Sequence, residues 1–271
     1  MPNQLPQLFV NGKKTSSFRA LGVPSENQMF AFESLRSYGG RVFRFEEHLD
    51  RLFESAKTCG LEVSKSREEL KREVFFILRN FSHADIFVRL TVDDRASYIL
   101  VLERKRPSWI YEKGIDLKTS VVRRNSVNSL PPEPKTNAFL NNVLGFMEKE
   151  DHGIYDALFL DSRGYITEAS VWNIFVVKEE RLFTPETGIL HGVTREFVIE
   201  CAQKESLPVI ETNLTRHDIW NAEEAFLTNT SGEIAPVRSL DGRLIGEKIP
   251  GVMTKRLMAR FRKELEKELK S

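Results

Sequence analysis

Residues 125–147, NSVNSLPPEPKTNAFLNNVLGFM, hold two charged side chains, Glu133 and Lys135, in a chain where 29% of residues are charged. Pro131, Pro132 and Pro134 favour extended backbone before the lysine. Phe139, Leu140, Val143, Leu144 and Met147 follow it with the spacing of a helix's apolar stripe. An isolated amine at such a junction is a candidate nucleophile, and its plain alternative is a lysine that snorkels to water. HGVTRE, residues 191–196, sets Gly192, Val193 and Thr194 at a helix start, where unpaired amides, the dipole and a hydroxyl can hold a phosphate. The alternative there is a Thr N-cap. LTNTSGE, residues 227–233, ends an apolar strand in hydroxyls and a glycine, which suits a second oxyanion contact or a polar turn. Arg51 lies beside the apolar stripe of its helix, with an ion pair to Glu47 at i−4 as its simplest role. Glu168, between short strands, reads first as a solvent-facing carboxylate.

The elements that must position these residues follow from periodicity. Leu8 to Val10 read as a strand turning through Asn11-Gly12 as a type I′ hairpin, and strands are expected over 29–37 and 41–45. A helix over 46–59 places Leu49, Leu52, Phe53 and Ala56 on one face, with Gly60 as its C-cap. A second helix starts at the capping box Ser66-x-x-Glu69. In DIFVRLTV, residues 85–92, strand alternation puts Arg89 on one face with Phe87 and Thr91. YILVLER and IDLKTSVV add two strands and close a first domain over residues 1–124. A linker over 125–134 leads to a second domain over 135–271, which opens with a helix at Lys135. It continues through short strands, the helix from HGVTRE, more strands and an amphipathic C-terminal helix carrying Leu257, Phe261, Leu265 and Leu269. The expected fold class is α/β, with a small N-terminal α/β domain and a larger, strand-rich C-terminal α/β domain.

Forty basic and thirty-nine acidic side chains leave a net charge of +1, so no bulk field calls for nucleic acid or an anionic membrane. Cys59 and Cys201 stand alone, which fits a reducing compartment. The start lacks a basic segment followed by an apolar one, and no apolar run approaches about 18 residues. A cytoplasmic protein is expected. GxxxxGK[ST], GxGxxG after a strand, HExxH and GxSxG do not occur. The five histidines are dispersed without metal-ligand spacing, so no metal is expected.

The ordered set FESLR, RFEEHLDRL, Lys135, DALFLDSRGYITEASVWNIFVV, RLFTPETGILHGVTRE and EEAFLTNTSGEIAPV resembles the fold-type IV, pyridoxal-phosphate aminotransferases over residues 8–258. This family includes branched-chain and D-amino-acid aminotransferases and aminodeoxychorismate lyases. The resemblance implies pyridoxal 5'-phosphate bound between the two domains, and a homodimer with pockets near the interface. It also implies ping-pong transfer of an amino group between an amino acid and a 2-oxo acid. Lys135 matches the Schiff-base lysine, and Arg51 the arginine that pairs with the cofactor phosphate. Val193, Thr194 and Thr230 match residues that hold the same group. Glu168 matches the carboxylate facing the pyridine nitrogen, whose proton makes the ring an electron sink. Arg36 and Arg89 stand near the implied substrate pocket, and Ser231-Gly232 where backbone amides meet a substrate carboxylate.

Departures from the family pattern bear on the substrate. VPSENQMF replaces a glycine-rich turn and implies a reshaped pocket rim at 24–29. Phe87 and Phe139 stand where branched-chain enzymes have tyrosine, and Leu90 where they have proline. The second half looks nearer the D-amino-acid enzymes, although their arginine–x–histidine pair is missing. D-amino acids are therefore expected ahead of L-branched ones. An L-branched-chain enzyme, an aminodeoxychorismate lyase and a cofactor-binding protein without turnover stay open as alternatives.

Overall fold

Asn11 and Gly12 both take positive φ, 47° and 77°, as a type I′ hairpin requires. They join β1 (Gln7–Val10) to β2 (Lys13–Thr15). The computed structural model describes residues 6–15, 29–81, 85–103, 106–152 and 154–270. Two compact units are formed, one of residues 1–105, 134–138 and 267–271, the other of 106–133 and 139–266. The sequence by itself divides the chain at residues 124 and 134.

In the first unit β1, β2, β3 (Ala31–Tyr38), β4 (Arg41–Val42), β5 (Asp85–Val92) and β6 (Ser97–Leu102) make an antiparallel sheet in the order β2-β1-β6-β5-β3-β4. β4 ends after two residues where a strand through Phe45 is expected. Arg44 takes left-handed backbone, φ 48°, and Phe45 already begins α1 (Phe45–Thr58). α2 (Arg67–Leu78) starts with both halves of the Ser66/Glu69 capping box formed, a device worth about 1 kcal/mol. β3 alternates: Ala31, Glu33, Leu35 and Ser37 are buried while Phe32, Ser34, Arg36 and Tyr38 are half-buried. The buried row packs Ala31 and Leu35 with Leu49, Leu52 and Ala56 of α1 and Leu70 of α2. Glu33 is thereby carried into an apolar core.

Residues 134–138 return to this unit. The Phe32 N–H donates to the Lys135 carbonyl at 2.9 Å, and Ala31 and Thr136 form an antiparallel bridge. Lys135 is therefore not on a helix, contrary to the sequence expectation. Its backbone groups bond to other segments, and the following helix begins only at Leu140.

The second unit carries α3 (Trp109–Lys113), β7 (Ile115–Arg123), α4 (Leu140–His152), β8 (Asp156–Leu160), β9 (Ile166–Ala169), β10 (Asn173–Lys178) and β11 (Arg181–Thr184). Then come α5 (Val193–Lys204), β12 (Val209–Glu211), α6 (Arg216–Trp220), β13 (Glu224–Asn229), β14 (Glu233–Leu240), β15 (Arg243–Leu244) and α7 (Val252–Lys270), whose residues from 267 belong to the first unit. Nine strands form one mixed sheet, ordered β12-β11-β10-β13-β14-β7-β8-β9 with β15 on β14. β7, grouped by chain position with the first domain, pairs in parallel with β14 and β8 and so lies inside this sheet. Its core joins Ile115 and Leu117 to Leu158, Trp172, Ile174, Leu227 and Val237.

α4 rests on this sheet through Gly145, where any Cβ would collide with the Phe159 ring. Its apolar stripe points elsewhere. Leu140 is 68% and Met147 59% exposed, and Val143 and Leu144 are exposed too. The spacing that predicts the helix is correct, but the stripe is not part of this chain's core. Among the described residues no helix is long and apolar enough to cross a membrane.

Candidate active site

Lys135 is pinned at both backbone groups. Its N–H donates to the Ser55 Oγ of α1 at 2.9 Å, and its carbonyl accepts from Phe32 of β3. Ser55, buried, in turn donates its hydroxyl to the Arg51 carbonyl one turn earlier at 2.7 Å. The lysine backbone is thus set by a helix and a strand rather than by its own proline-rich segment. Its Nζ lies 4.7 Å from the centre of the Phe32 ring, and the Arg89 guanidinium lies 3.9 Å from the same centre.

Arg51 forms an ion pair with Glu33 of β3. Its Nε and one terminal nitrogen fork onto Glu33 at 2.6 and 2.8 Å, and His48 Nδ1 meets the same carboxylate at 2.8 Å. Glu33 is 0% exposed, a position where an unpaired carboxylate costs several kcal/mol. Burial alone would raise its pKa, but the Arg51 charge and the His48 and Arg51 hydrogen bonds hold it far below the usual range. Burial pushes the His48 pKa below its ordinary value against the opposing pull of Glu33, with the Arg51 and Lys135 charges acting in the same sense as burial. An ionised carboxylate only accepts, so neutral His48 carries its proton on Nδ1 and donates it to Glu33.

Arg36 shares the Phe32 face of β3, but its fork closes on Asp85 at 2.8 and 2.6 Å, with Tyr38 beneath the guanidinium. Four residues along a strand is about 13 Å, so Arg36 and Phe32 mark different ends of that face. Residues 24–28 of the altered rim lie outside the described residues.

In the second unit Glu168 is 5% exposed rather than solvent-facing. Its Oε1 accepts from Arg124 at 2.7 Å, and its Oε2 from Asn173 at 3.1 Å and the Leu190 amide at 3.0 Å. Asn173 also donates to the Leu190 carbonyl and packs against Gly192, where a Cβ would strike its side-chain oxygen. Glu168 is thereby joined to the start of α5, whose N-cap is Gly192 and not Thr194. Thr194, 5% exposed, sits in the first turn among amides that lack intrahelical acceptors. Its hydroxyl and that of Thr230 make no hydrogen bond among the described residues. The Ser231-Gly232 turn is closed by Asn229, whose Oδ1 accepts from the Gly232 amide at 2.7 Å and the Ser231 hydroxyl at 3.2 Å.

The class IV amino-transferase family model matches residues 31–240. The chain belongs to the class IV aminotransferases. A Methanocaldococcus jannaschii protein with a provisional branched-chain-amino-acid aminotransferase name is 37% identical over 85% of this chain and 85% of its own. The branched-chain-amino-acid aminotransferase of Pseudomonas aeruginosa is 31% identical over 86% of this chain and 83% of its own. Among solved structures, the T.th. branched-chain amino acid aminotransferase with pyridoxamine 5'-phosphate superposes with a TM-score of 0.89 at 25% identity, covering 97% of this chain and 94% of that one. The fold is the mixed α/β fold of fold-type IV enzymes, and the cofactor of this aminotransferase is pyridoxal 5'-phosphate.

The donor set fits that cofactor. The hydroxyl of Thr194, a buried residue at the start of a twelve-residue helix, makes no hydrogen bond among the described residues and suits a phosphate, and the buried Glu168 carboxylate, held by Arg124, Asn173 and the Leu190 amide, suits a protonated ring nitrogen. Sequence reasoning missed Glu33, His48, Ser55, Arg124 and Asn173. Strand alternation could have exposed Glu33, which falls in the row of Ala31 and Leu35, and helix spacing puts His48, Arg51 and Ser55 on one side of α1. Arg124 and Asn173 carry no local signal.

Proposed function

We propose that this aminotransferase moves the amino group of a branched aliphatic L-amino acid to a 2-oxo acid, by a ping-pong sequence. The observation that carries this reading is the Lys135 amine beside the Phe32 ring, which also stacks the Arg89 guanidinium. An apolar wall and a cation beside the reactive amine suit a substrate with an apolar side chain and a carboxylate. The branched-chain names of the relatives support the same substrate class. D-amino acids are the second reading, supported by Phe87 and Phe139 standing where branched-chain enzymes have tyrosine.

The bound cofactor supplies an electron sink for the substrate Cα. Lys135 Nζ would hold the cofactor and, as a free amine, would take the proton from the substrate Cα. Glu168 would keep the proton on the ring nitrogen by charge pairing. Thr194, the Val193 amide and Thr230 would hold the phosphate, and Arg51, its fork fixed by Glu33, would add a positive charge for the same group. Arg89 and the Ser231-Gly232 turn orient the substrate.

The exposed apolar stripe of α4 supports a homodimer, because burying such a stripe against a second copy removes it from water. Single D- and L-amino acids mixed with the loaded protein test the substrate reading. Conversion to the pyridoxamine form by L-leucine, L-isoleucine and L-valine is expected. Conversion by D-amino acids alone would overturn it in favour of the second reading, and release of pyruvate from aminodeoxychorismate would overturn both.

A further inference from the structure

The second unit carries a cleft of about 430 Å³ whose walls come from β7, α6 and the β14–β15 hairpin. That size lies within the range of small-molecule sites, about 300–1,000 Å³. None of the residues assigned above to cofactor or substrate lines it. The hairpin turns through Asp241 and Gly242, both at positive φ, 52° and 76°. The Asp241 carboxylate accepts from the Thr119 N–H and hydroxyl, each at 2.7 Å, which ties the hairpin to β7. Trp220 Nε1 donates to the Leu240 carbonyl at 3.2 Å and ties α6 to the same hairpin.

Arg123, Arg216 and Arg243 all line this cleft. The Arg243 guanidinium carbon lies 3.9 Å from the centre of the Trp220 ring, and that of Arg216, one helical turn before Trp220, lies 5.5 Å from the same centre. Such contacts hold a planar cation against an aromatic ring and leave its N–H edge free. Neither guanidinium makes a hydrogen bond or an ion pair among the described residues. Arg123 gives one donor to the Ser120 carbonyl at 2.9 Å and pairs with no carboxylate among the described residues. The carboxylate of the lining, Asp241, is engaged by Thr119, and the Ser120 hydroxyl donates to Glu148 at 2.8 Å. The guanidinium forks are therefore what the cleft has left to offer a ligand. A single exposed arginine needs no anion. Three gathered round one concavity with one carboxylate leave two positive charges uncompensated, and their mutual repulsion is relieved by a bound anion.

We propose that this cleft is a second binding site, for a small organic phosphate ester held by Arg123, Arg216 and Arg243. A terminal phosphate carries about −1.5 to −2 charges at pH 7 and three acceptor oxygens, which matches the two uncompensated positive charges. Guanidinium forks bind such a group through paired, charge-assisted hydrogen bonds. Free phosphate would leave most of the cleft empty. The organic body of an ester fills it, resting on Val121, which is 79% exposed, and on the half-buried Trp220.

The test uses the cofactor-loaded protein, freed of unbound cofactor and titrated by calorimetry. The probes are adenosine 5'-monophosphate, glucose 6-phosphate, inorganic phosphate, adenosine and succinate. At least one of the two esters is expected to bind at one site per chain and more tightly than inorganic phosphate, adenosine or succinate, with the absorption of the bound cofactor constant throughout. Arg216→Gln and Arg243→Gln change exposed side chains, so both should fold as the wild type does, and each should weaken the ester about tenfold. Arg243→Lys, which keeps the charge but not the fork, should fall between wild type and Arg243→Gln. Added sodium chloride should weaken binding, because the site is open to solvent. Absence of binding by both esters overturns the proposal, and so does equal ester affinity in the wild type and the two Gln variants. Succinate binding as tightly as the esters would overturn the choice of phosphate, and inorganic phosphate doing so would overturn the organic body. Release of cofactor during the titration would place the binding at the cofactor site and overturn the second site.

Discussion

The Ser55 hydroxyl accepts a hydrogen bond from the Lys135 backbone N–H at 2.9 Å and donates one to the Arg51 carbonyl. One buried oxygen thus fixes the backbone of the reactive lysine to the helix that carries Arg51. Ser55→Ala removes the side-chain acceptor of the Lys135 N–H in a part-buried place, which costs about 1–3 kcal/mol. The expected outcome is a folded protein with a lower thermal midpoint and slower borohydride-trapped attachment of cofactor to Lys135. Ser55→Thr, which keeps an oxygen at the same position, should restore most of both. Wild-type attachment in Ser55→Ala would show that the bond is dispensable for placing the lysine.

Glu168 is held by Arg124, Asn173 and the Leu190 amide, and all three are donors. Glu168→Gln removes the negative charge while leaving Arg51 and Thr194 untouched. If Glu168 faces the ring nitrogen, cofactor should still bind and turnover should drop tenfold or more, since one pKa unit is about 1.4 kcal/mol. Turnover and the absorption of bound cofactor are read on the same sample. An unchanged rate and spectrum would reduce Glu168 to a structural partner of Arg124.

The Glu33, His48 and Arg51 cluster predicts acid sensitivity. His48 has a folded pKa below 6.5, so the unfolded chain protonates first. The stability it contributes is complete above about pH 6.5 and is lost as pH falls toward the folded value. Glu33, held below its ordinary 4.5, contributes stability that is present above that value and is lost as pH falls through its folded one. Stability should therefore decline from about pH 6.5 downward, by up to about 1.4 kcal/mol per pH unit for each group titrating. His48→Asn keeps a donor near the Nδ1 position and cannot titrate, so it should flatten the decline between about pH 6.5 and 5 and leave the steeper loss below about 4.5. Urea midpoints measured across this range decide the point, and parallel profiles for both proteins would contradict it.

The homodimer proposal places an exposed stripe of α4 against a second copy. Leu144→Lys with Met147→Lys puts two ammonium groups on that stripe, and a buried unpaired charge is strongly unfavourable. Sedimentation should show a dimer for the wild type and a monomer for the double variant, with the helical circular dichroism of each unchanged. A wild type that sediments as a monomer at all concentrations would sink the idea.

Local order was legible in the sequence because a few neighbouring residues decide it. Asn11-Gly12 set the hairpin through positive φ, Ser66 and Glu69 started α2, and alternation in β5 put Arg89 on the face of Phe87 and Thr91. Lys135 stood out because its segment is short of charge, and the ordered motifs carried the family. The partners of these residues depend on where the chain returns, which no local pattern states. Glu33 meets Arg51 from 18 residues away, Glu168 meets Arg124 from 44 and Lys135 meets Ser55 from 80. The same limit explains β7, whose alternation marks a strand and not the sheet it joins. It also explains α4, whose stripe has helical spacing and leaves open what covers it. Periodicity reports which side chains share a face, because backbone geometry repeats over two or 3.6 residues. Only the packed chain decides what that face meets, because burial and pairing energies are summed over segments far apart in sequence.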